Sequence, residues 1–234
     1  SGDDFLSVAG LASKGYVDAG VDEDTLRFLG GLTSSTLYGG SGNDLFSIAG
    51  GLTSDKLFSG AGDGTLSMSG KLTDTTVDVG SGADKVVLTG ATANTWTLTG
   101  TLTNTTLSGD AGADTVMITS KMVDGLVSEA AGVDSLYFSA GVSNTTVVGG
   151  GGEDTVSLSG AADDLILSAF TVSRVFAGSG ADTMRFTAAA VNGTVDAGAG
   201  ADSLYFADSA SGLSLIGGSG ADTLWMASTA SFTT

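Results

Sequence analysis

The sequence predicts an all-β protein, a right-handed parallel β-solenoid of about 20 residues and two short strands per coil, with about eleven coils. Three observations predict it. The chain resembles itself when slid by 20 residues. Within each repeat, large apolar residues alternate with polar ones, the period of a strand with one buried face. Proline is absent from all 234 residues, as suits strands that must each donate N–H groups to the coil beside them.

The repeat is marked by a Gly-x-Gly-x-Asp loop followed by a short apolar strand. Asp4, Asp24, Asp44, Asp84, Asp114, Asp134, Asp154, Asp182, Asp202 and Asp222 occupy the aspartate position, and Gly64 fills the slot between Asp44 and Asp84. Two and four residues later come apolar pairs such as Leu26/Phe28, Phe46/Ile48, Leu66/Met68, Leu136/Phe138 and Met184/Phe186. Seven residues before each aspartate from Asp24 onward stands Val or Leu, as in Val17, Leu37, Leu57, Val77, Leu107 and Leu215. Each unit thus supplies two short strands joined by Gly/Ser/Thr/Asp-rich turns, and stacking at about 4.8 Å buries their apolar faces as one thin core. The spacing of 20 fails twice, at 30 between Asp84 and Asp114 and 28 between Asp154 and Asp182. A half-unit accounts for the first through Asn94 and for the second through Asp163-Asp164-Leu-Ile-Leu. Irregular coils are therefore expected near 85–113 and 155–181, where the aspartate row either changes edge or bulges outward. The whole chain, 1–234, reads as one continuous solenoid.

Composition excludes several function classes. Eight Lys and Arg against 26 Asp and Glu give a net charge of −18, which opposes binding to nucleic acid or an anionic membrane surface. Cys and His are both absent, which removes disulfides, thiolate chemistry, zinc-thiolate sites and the usual general base. No run approaches the roughly 18 apolar residues of a membrane-spanning helix, so no membrane insertion is expected.

Stacking places one carboxylate per coil above the next. Adjacent unit charges at about 4.8 Å repel by about 1 kcal/mol in water and about 3–4 kcal/mol at an effective dielectric of 20. Along ten rungs this rivals the roughly 5–15 kcal/mol stability of a whole domain. Lys and Arg are too few to neutralise the row. A divalent hard cation between loops would gather carboxylates and backbone carbonyls, the oxygen ligands that calcium prefers.

Gly39-Gly-Ser-Gly-Asn-Asp44-Leu-Phe46, Gly149-Gly-Gly-Gly-Glu-Asp154-Thr-Val156 and Gly217-Gly-Ser-Gly-Ala-Asp222-Thr-Leu224 match the nonapeptide Gly-Gly-x-Gly-x-Asp-x-apolar-x. The chain resembles the RTX (repeats-in-toxin) proteins through these loops. The resemblance implies a parallel β-roll with Ca2+ chelated between coils by the Gly-rich turns and the ten aspartates, and folding on calcium after secretion. Its members include toxins, secreted enzymes, adhesins and surface-layer proteins, so the motif specifies the calcium roll and not the biological role. Only alternate turns here carry the motif, which implies one calcium row in place of two, weakened at Gly64 and Asn94. The metal-free alternative is an Asx-turn, in which each Asp accepts N–H groups of its own loop. Asp22, Glu23, Asp63, Asp110, Glu153 and Asp163 are expected to be solvated charge.

Rival functions are weaker. Stacked carboxylates about 5 Å apart have the separation of a retaining glycosidase pair, yet here the acids are the scaffold itself, and an enzyme is not expected. Thr25, Thr65, Thr95, Thr115, Thr155, Thr183 and Thr223 could form an ice-binding array, but Leu45 and Lys85 interrupt it. The outward aromatics Tyr137, Tyr205 and Trp225 form a partial row that could contact a neighbour or a glycan. Asn104, Asn144 and Asn192 fit the glycosylation sequon by chance in a Thr-rich chain. The chain opens partway into a repeat loop, so a segment of a longer array is expected, with self-association through coil ends or an exposed face. The reading is a structural module of a secreted bacterial cell-surface protein: a surface layer, adhesin stalk or extracellular filament. The alternative is an adhesin region contacting glycans or another cell.

Overall fold

The structure is a computed structural model and describes residues 2–90, 92–150, 152–159, 162–168, 171–228 and 230–232. Among these residues the chain forms 29 short strands, paired in parallel, that wind a solenoid of about ten turns at roughly 20 residues each. No helix among them is long and apolar enough to cross a membrane.

Alternation sets which side chains enter. In Thr25–Phe28, Leu26 and Phe28 are buried while Arg27 is exposed. The strand pairs residue for residue with Leu45–Ile48, and Leu66 and Val86 continue the column from Phe46. A facing sheet stacks Val17, Leu37, Leu57 and Val77 in the same way. The two inner faces meet in a core one side chain deep, and a third column, Leu32, Leu52 and Leu72, closes it near one edge. Like residues stacking on like is what a fixed repeat length gives to a parallel ladder.

Two kinds of turn join the sheets. One is the acid turn with Gly-x-Gly-x-Asp. The other passes through a left-handed residue: Lys14 (φ 53°), Ser34 (52°), Ser54 (57°), Asp74 (49°), Asn104 (54°), Asp124 (52°), Asn144 (46°) and Asn192 (55°). Asn and Asp tolerate that region best among non-glycine residues. The three apparent sequons therefore have a backbone cause, because each Asn sits at this position.

The long intervals exchange the two edges. Up to residue 84 the acid turns stack on one edge, Gly40 on Gly20 and Gly60 on Gly40, and the left-handed turns on the other. Lys85–Leu88 is then followed in its sheet by Thr106–Ser108, while Trp96 and Leu98 stack on Thr75 and Val77 of the opposite sheet. Asn94, Asp114, Asp134 and Asp154 consequently continue the edge that began with left-handed turns. Asn104, Asp124 and Asn144 continue the other. The interval of 28 reverses the exchange: Val156 pairs with Val175 and Leu165 with Met184, and Asp182, Asp202 and Asp222 return to the first edge. Half a coil preserves the inward columns but passes each turn type to the other side. The row changes edge; it does not bulge.

Candidate metal centre

Each acid turn is shaped by its neighbour. Gly40 lies at φ 110°, and a Cβ there would overlap the carbonyl oxygen of Gly20 in the coil below, so only glycine fits. The chain then enters the next strand at the aspartate, whose side chain turns inward at the margin of the core. Asp24, Asp44, Asp84, Asp114, Asp134, Asp154, Asp182 and Asp202 are all at most 3% exposed. Asp4 and Asp222, in the first and last coils of this chain, are exposed.

One carboxylate oxygen has a fixed task. The Asp24 N–H donates to Asp44 Oδ1 at 2.9 Å, Asp114 to Asp134 at 2.8 Å, Asp134 to Asp154 at 3.1 Å and Asp182 to Asp202 at 2.9 Å. Asp4 N–H reaches Asp24 Oδ1 at 2.7 Å, and Asp202 N–H reaches Asp222 Oδ1 at 3.2 Å. The acceptor thus serves the amide of the preceding coil. The Asx-turn alternative, with the carboxylate serving its own loop, does not describe these residues.

The other oxygen is left over. Oδ2 of Asp24, Asp44, Asp84, Asp114, Asp134 and Asp202 is buried and has no hydrogen-bond partner. Leaving a buried polar atom unpaired costs about 1–3 kcal/mol, and more when it is charged. A Cβ on Gly39 would overlap both Asp44 Oδ2 and the Ser59 carbonyl oxygen of the next coil. The glycine therefore leaves a small space lined by oxygens from two coils. Among the described residues no group of three or more acids forms a metal cage by itself. A cation in this space would hold one or two carboxylates and take its remaining ligands from the carbonyls of the glycine turns. An all-oxygen donor set of that kind suits calcium and not the softer metals.

The two exceptions in the row are filled differently. A Cβ on Gly64 would overlap the Ser59 hydroxyl, so serine occupies the absent carboxylate's place. Asn94 acts as a neutral clamp: its Oδ1 accepts Leu72 N–H at 2.9 Å, while Nδ2 donates to Thr92 O at 2.9 Å and Asp114 Oδ1 at 2.8 Å.

Burial is the largest influence on the acids. It pushes Asp84, Asp114 and Asp134 up to about 6, against hydrogen bonds from Gly64, Asn94 and Asp114 respectively that lower them. Asp44 and Asp154 are raised by burial too. In the absence of a cation, these five aspartates resist ionisation in the folded chain.

Other acids depart from expectation. Asp22, Glu23 and Asp63 are exposed, as solvated charge should be. Asp110 is 5% exposed, because the half-coil insertion sets it beside Asn94; its Oδ1 accepts Gly112 N–H at 2.9 Å and its Oδ2 takes Asn94 Nδ2 at 3.3 Å. The side chains of Glu153 and Asp163 lie outside the described part. Asp55 and Glu129, which the aspartate spacing does not select, are also buried. Asp55 sits in a left-handed turn and uses both oxygens, accepting Ser35 N–H and Thr53 N–H, each at 2.7 Å.

The outward aromatics divide between the sheets. Tyr137 pairs with Met117 and Ser157, whereas Tyr205 pairs with Arg185 and Trp225 on the opposite sheet. The edge exchange after residue 155 is the reason they form no common row. Tyr205 and Trp225 stack at 3.9 Å with Arg185 over the tyrosine ring at 5.7 Å.

The family model of the RTX calcium-binding nonapeptide repeat matches this chain in four copies, over residues 29–66, 97–117, 139–170 and 214–225. No curated protein matches the chain.

Proposed function

This chain carries RTX calcium-binding nonapeptide repeats and binds calcium as a β-solenoid, and from that premise we propose that it is a structural module of a secreted bacterial cell-surface protein. The settings it fits are a surface layer, an adhesin stalk or an extracellular filament. Calcium would sit between successive acid turns in three blocks: Asp4, Asp24, Asp44 and Asp84 on one edge; Asp114, Asp134 and Asp154 on the other; Asp182, Asp202 and Asp222 on the first again. Bound there, the ion supplies positive charge where the fold has only carboxylate and carbonyl oxygen.

The observation that carries this reading is the buried, unpaired Oδ2 recurring in successive coils. The residues themselves do the rest. Each Oδ1 ties its coil to the one before, and each inward column seals the turn from water on one side. Bridging then locks neighbouring coils together, and the product is a stiff rod whose rigidity depends on calcium. Low intracellular calcium would leave the rows unbridged and the chain loose until export. The acids are repeated along the rod and are held by the fold, so no catalytic step is assigned to them.

Electron microscopy of purified protein tests the structural role. A lattice, fibre or uniform rod with calcium, lost on chelation, is expected; compact monomers of one shape under both conditions would remove the proposal. The stack of half-buried Tyr205 on exposed Trp225 favours a second reading, an adhesin region that contacts a glycan through those rings. There, Trp225→Ala would abolish glycan retention on an array while leaving calcium-dependent folding intact.

A further inference from the structure

Glu129 stands where every other coil has a small or apolar residue. Five positions before Gly64 and before each aspartate of the row from Asp24 onward the chain has Ala19, Gly39, Ser59, Val79, Gly109, Glu129, Gly149, Ala177, Ala197 and Gly217. Val79, Ala177 and Ala197 face the core and are fully buried. Glu129 points the same way, at 3% exposure, and neither of its carboxylate oxygens has a hydrogen-bond partner. Its carboxylate lies over Gly109, where a Cβ would overlap it, in the turn that holds Asp110 and Asp114. In the coil of residues 39–44 the corresponding space faces Asp44 Oδ2.

The surroundings are uniformly acidic. The charged groups acting on Glu129 are Asp134, Asp114, Asp110 and Asp154, and burial together with these carboxylates pushes it up to about 8. Oδ2 of Asp114 and of Asp134 is likewise buried and unpaired. Asp110 differs, since Gly112 and Asn94 occupy its oxygens, so it adds field and not a free ligand. One proton on Glu129 would not complete the site, because its single O–H can serve at most one of the two orphan oxygens of Asp114 and Asp134. A cation would satisfy Glu129 and both orphan oxygens at once.

We propose that Glu129 makes the junction between turns 109–114 and 129–134 a distinct divalent-cation site, the tightest of this solenoid, by adding a carboxylate from the inner wall to those of Asp114 and Asp134. This rests on the reading that the acid turns hold calcium. As placed, three acids do not yet converge, so the ion draws Glu129 toward it and completes its shell with turn carbonyls.

The test is calorimetric titration of the metal-free chain with calcium at pH 7.5, for the native protein, Glu129→Gln and Asp202→Asn. The native protein is expected to show a tight phase ahead of the remainder. Glu129→Gln should weaken that phase by roughly tenfold or more, as ligand charge tunes calcium sites, and keep the rest. Asp202→Asn should keep the tight phase and lose affinity elsewhere. In chelator Glu129→Gln should melt above the native protein, since it removes a buried acid; melting below it would indicate a packing role and overturn the proposal. Equal titrations of native protein and Glu129→Gln overturn it alone, whereas no calcium uptake by any variant overturns the acid-row reading as well. Should Glu129→Gln not fold, Gly109→Ala displaces the same carboxylate while keeping the charge, and an unchanged tight phase there would equally refute the site.

Discussion

Removing calcium should invert the usual response of a protein to acid. Asp84, Asp114 and Asp134 sit at about 6 and Glu129 at about 8 in the cation-free fold, all raised chiefly by burial. Each binds its proton more tightly folded than unfolded, so the folded state holds more protons at intermediate pH and stability rises as pH falls. The gain is complete below about 4. It is lost as pH rises through 6 for the aspartates and through 8 for Glu129. A shift of two units is worth roughly 3 kcal/mol at full value, and solvent at the turn edge cuts this to about 1–2 kcal/mol per aspartate. With Glu129 the combined effect is on the order of 5–10 kcal/mol between pH 8 and pH 4, comparable to the stability of a domain. For a chain of this size that corresponds to a rise in melting temperature of at least ~10 °C. The assay is thermal melting by circular dichroism in calcium-stripped buffers across that range, repeated with millimolar calcium. With calcium the trend should reverse, because protons then compete with the ion. A calcium-free melting temperature that stays level or drops on acidification refutes the reasoning.

Other substitutions separate the row from the scaffold. Asn94→Asp replaces the neutral clamp by a further carboxylate beside Asp110 and Asp114; in chelator it should destabilise by about 1–3 kcal/mol, and calcium binding should gain one equivalent. Asp55→Asn removes one of two acceptor oxygens in a left-handed turn, and its cost of about 1–3 kcal/mol should be the same with and without calcium. Leu66→Ala empties a fully buried position in mid-solenoid and should cost about 2–5 kcal/mol under both conditions, read from denaturant melts.

The repeat, the inward columns and the stacking of one aspartate per coil were legible because periodicity alone fixes them; the burial of those aspartates was not. Leu26, Phe46 and Leu66 had to share a face once the strands stacked at a constant offset. The edge exchange was not legible. An interval of 30 residues is compatible with a bulge until Trp96 is seen to stack on Thr75 and not in the sheet of Val86. From that one ambiguity came the misplacement of Tyr137 with Tyr205, and of Asp110 in solvent. Asn104 and Asn144 carried a signal of their own, since a residue tolerant of positive φ recurring beside Lys14, Ser34 and Ser54 marks a second turn type. Glu129 was visible only as an exception in a column of small residues, and that column shows itself only once residues five before the aspartate are aligned. Which oxygen of each carboxylate is used, and which is left, follows from strand geometry that no sequence pattern encodes.

A density map of crystals grown in calcium tests the central claim most directly. The account predicts anomalous peaks between the acid turns of Asp24 and Asp44, then between those of Asp114, Asp134 and Asp154 on the opposite edge, then between those of Asp182, Asp202 and Asp222 back on the first. The same solenoid with only water, or nothing, beside those Oδ2 atoms at saturating calcium would contradict it.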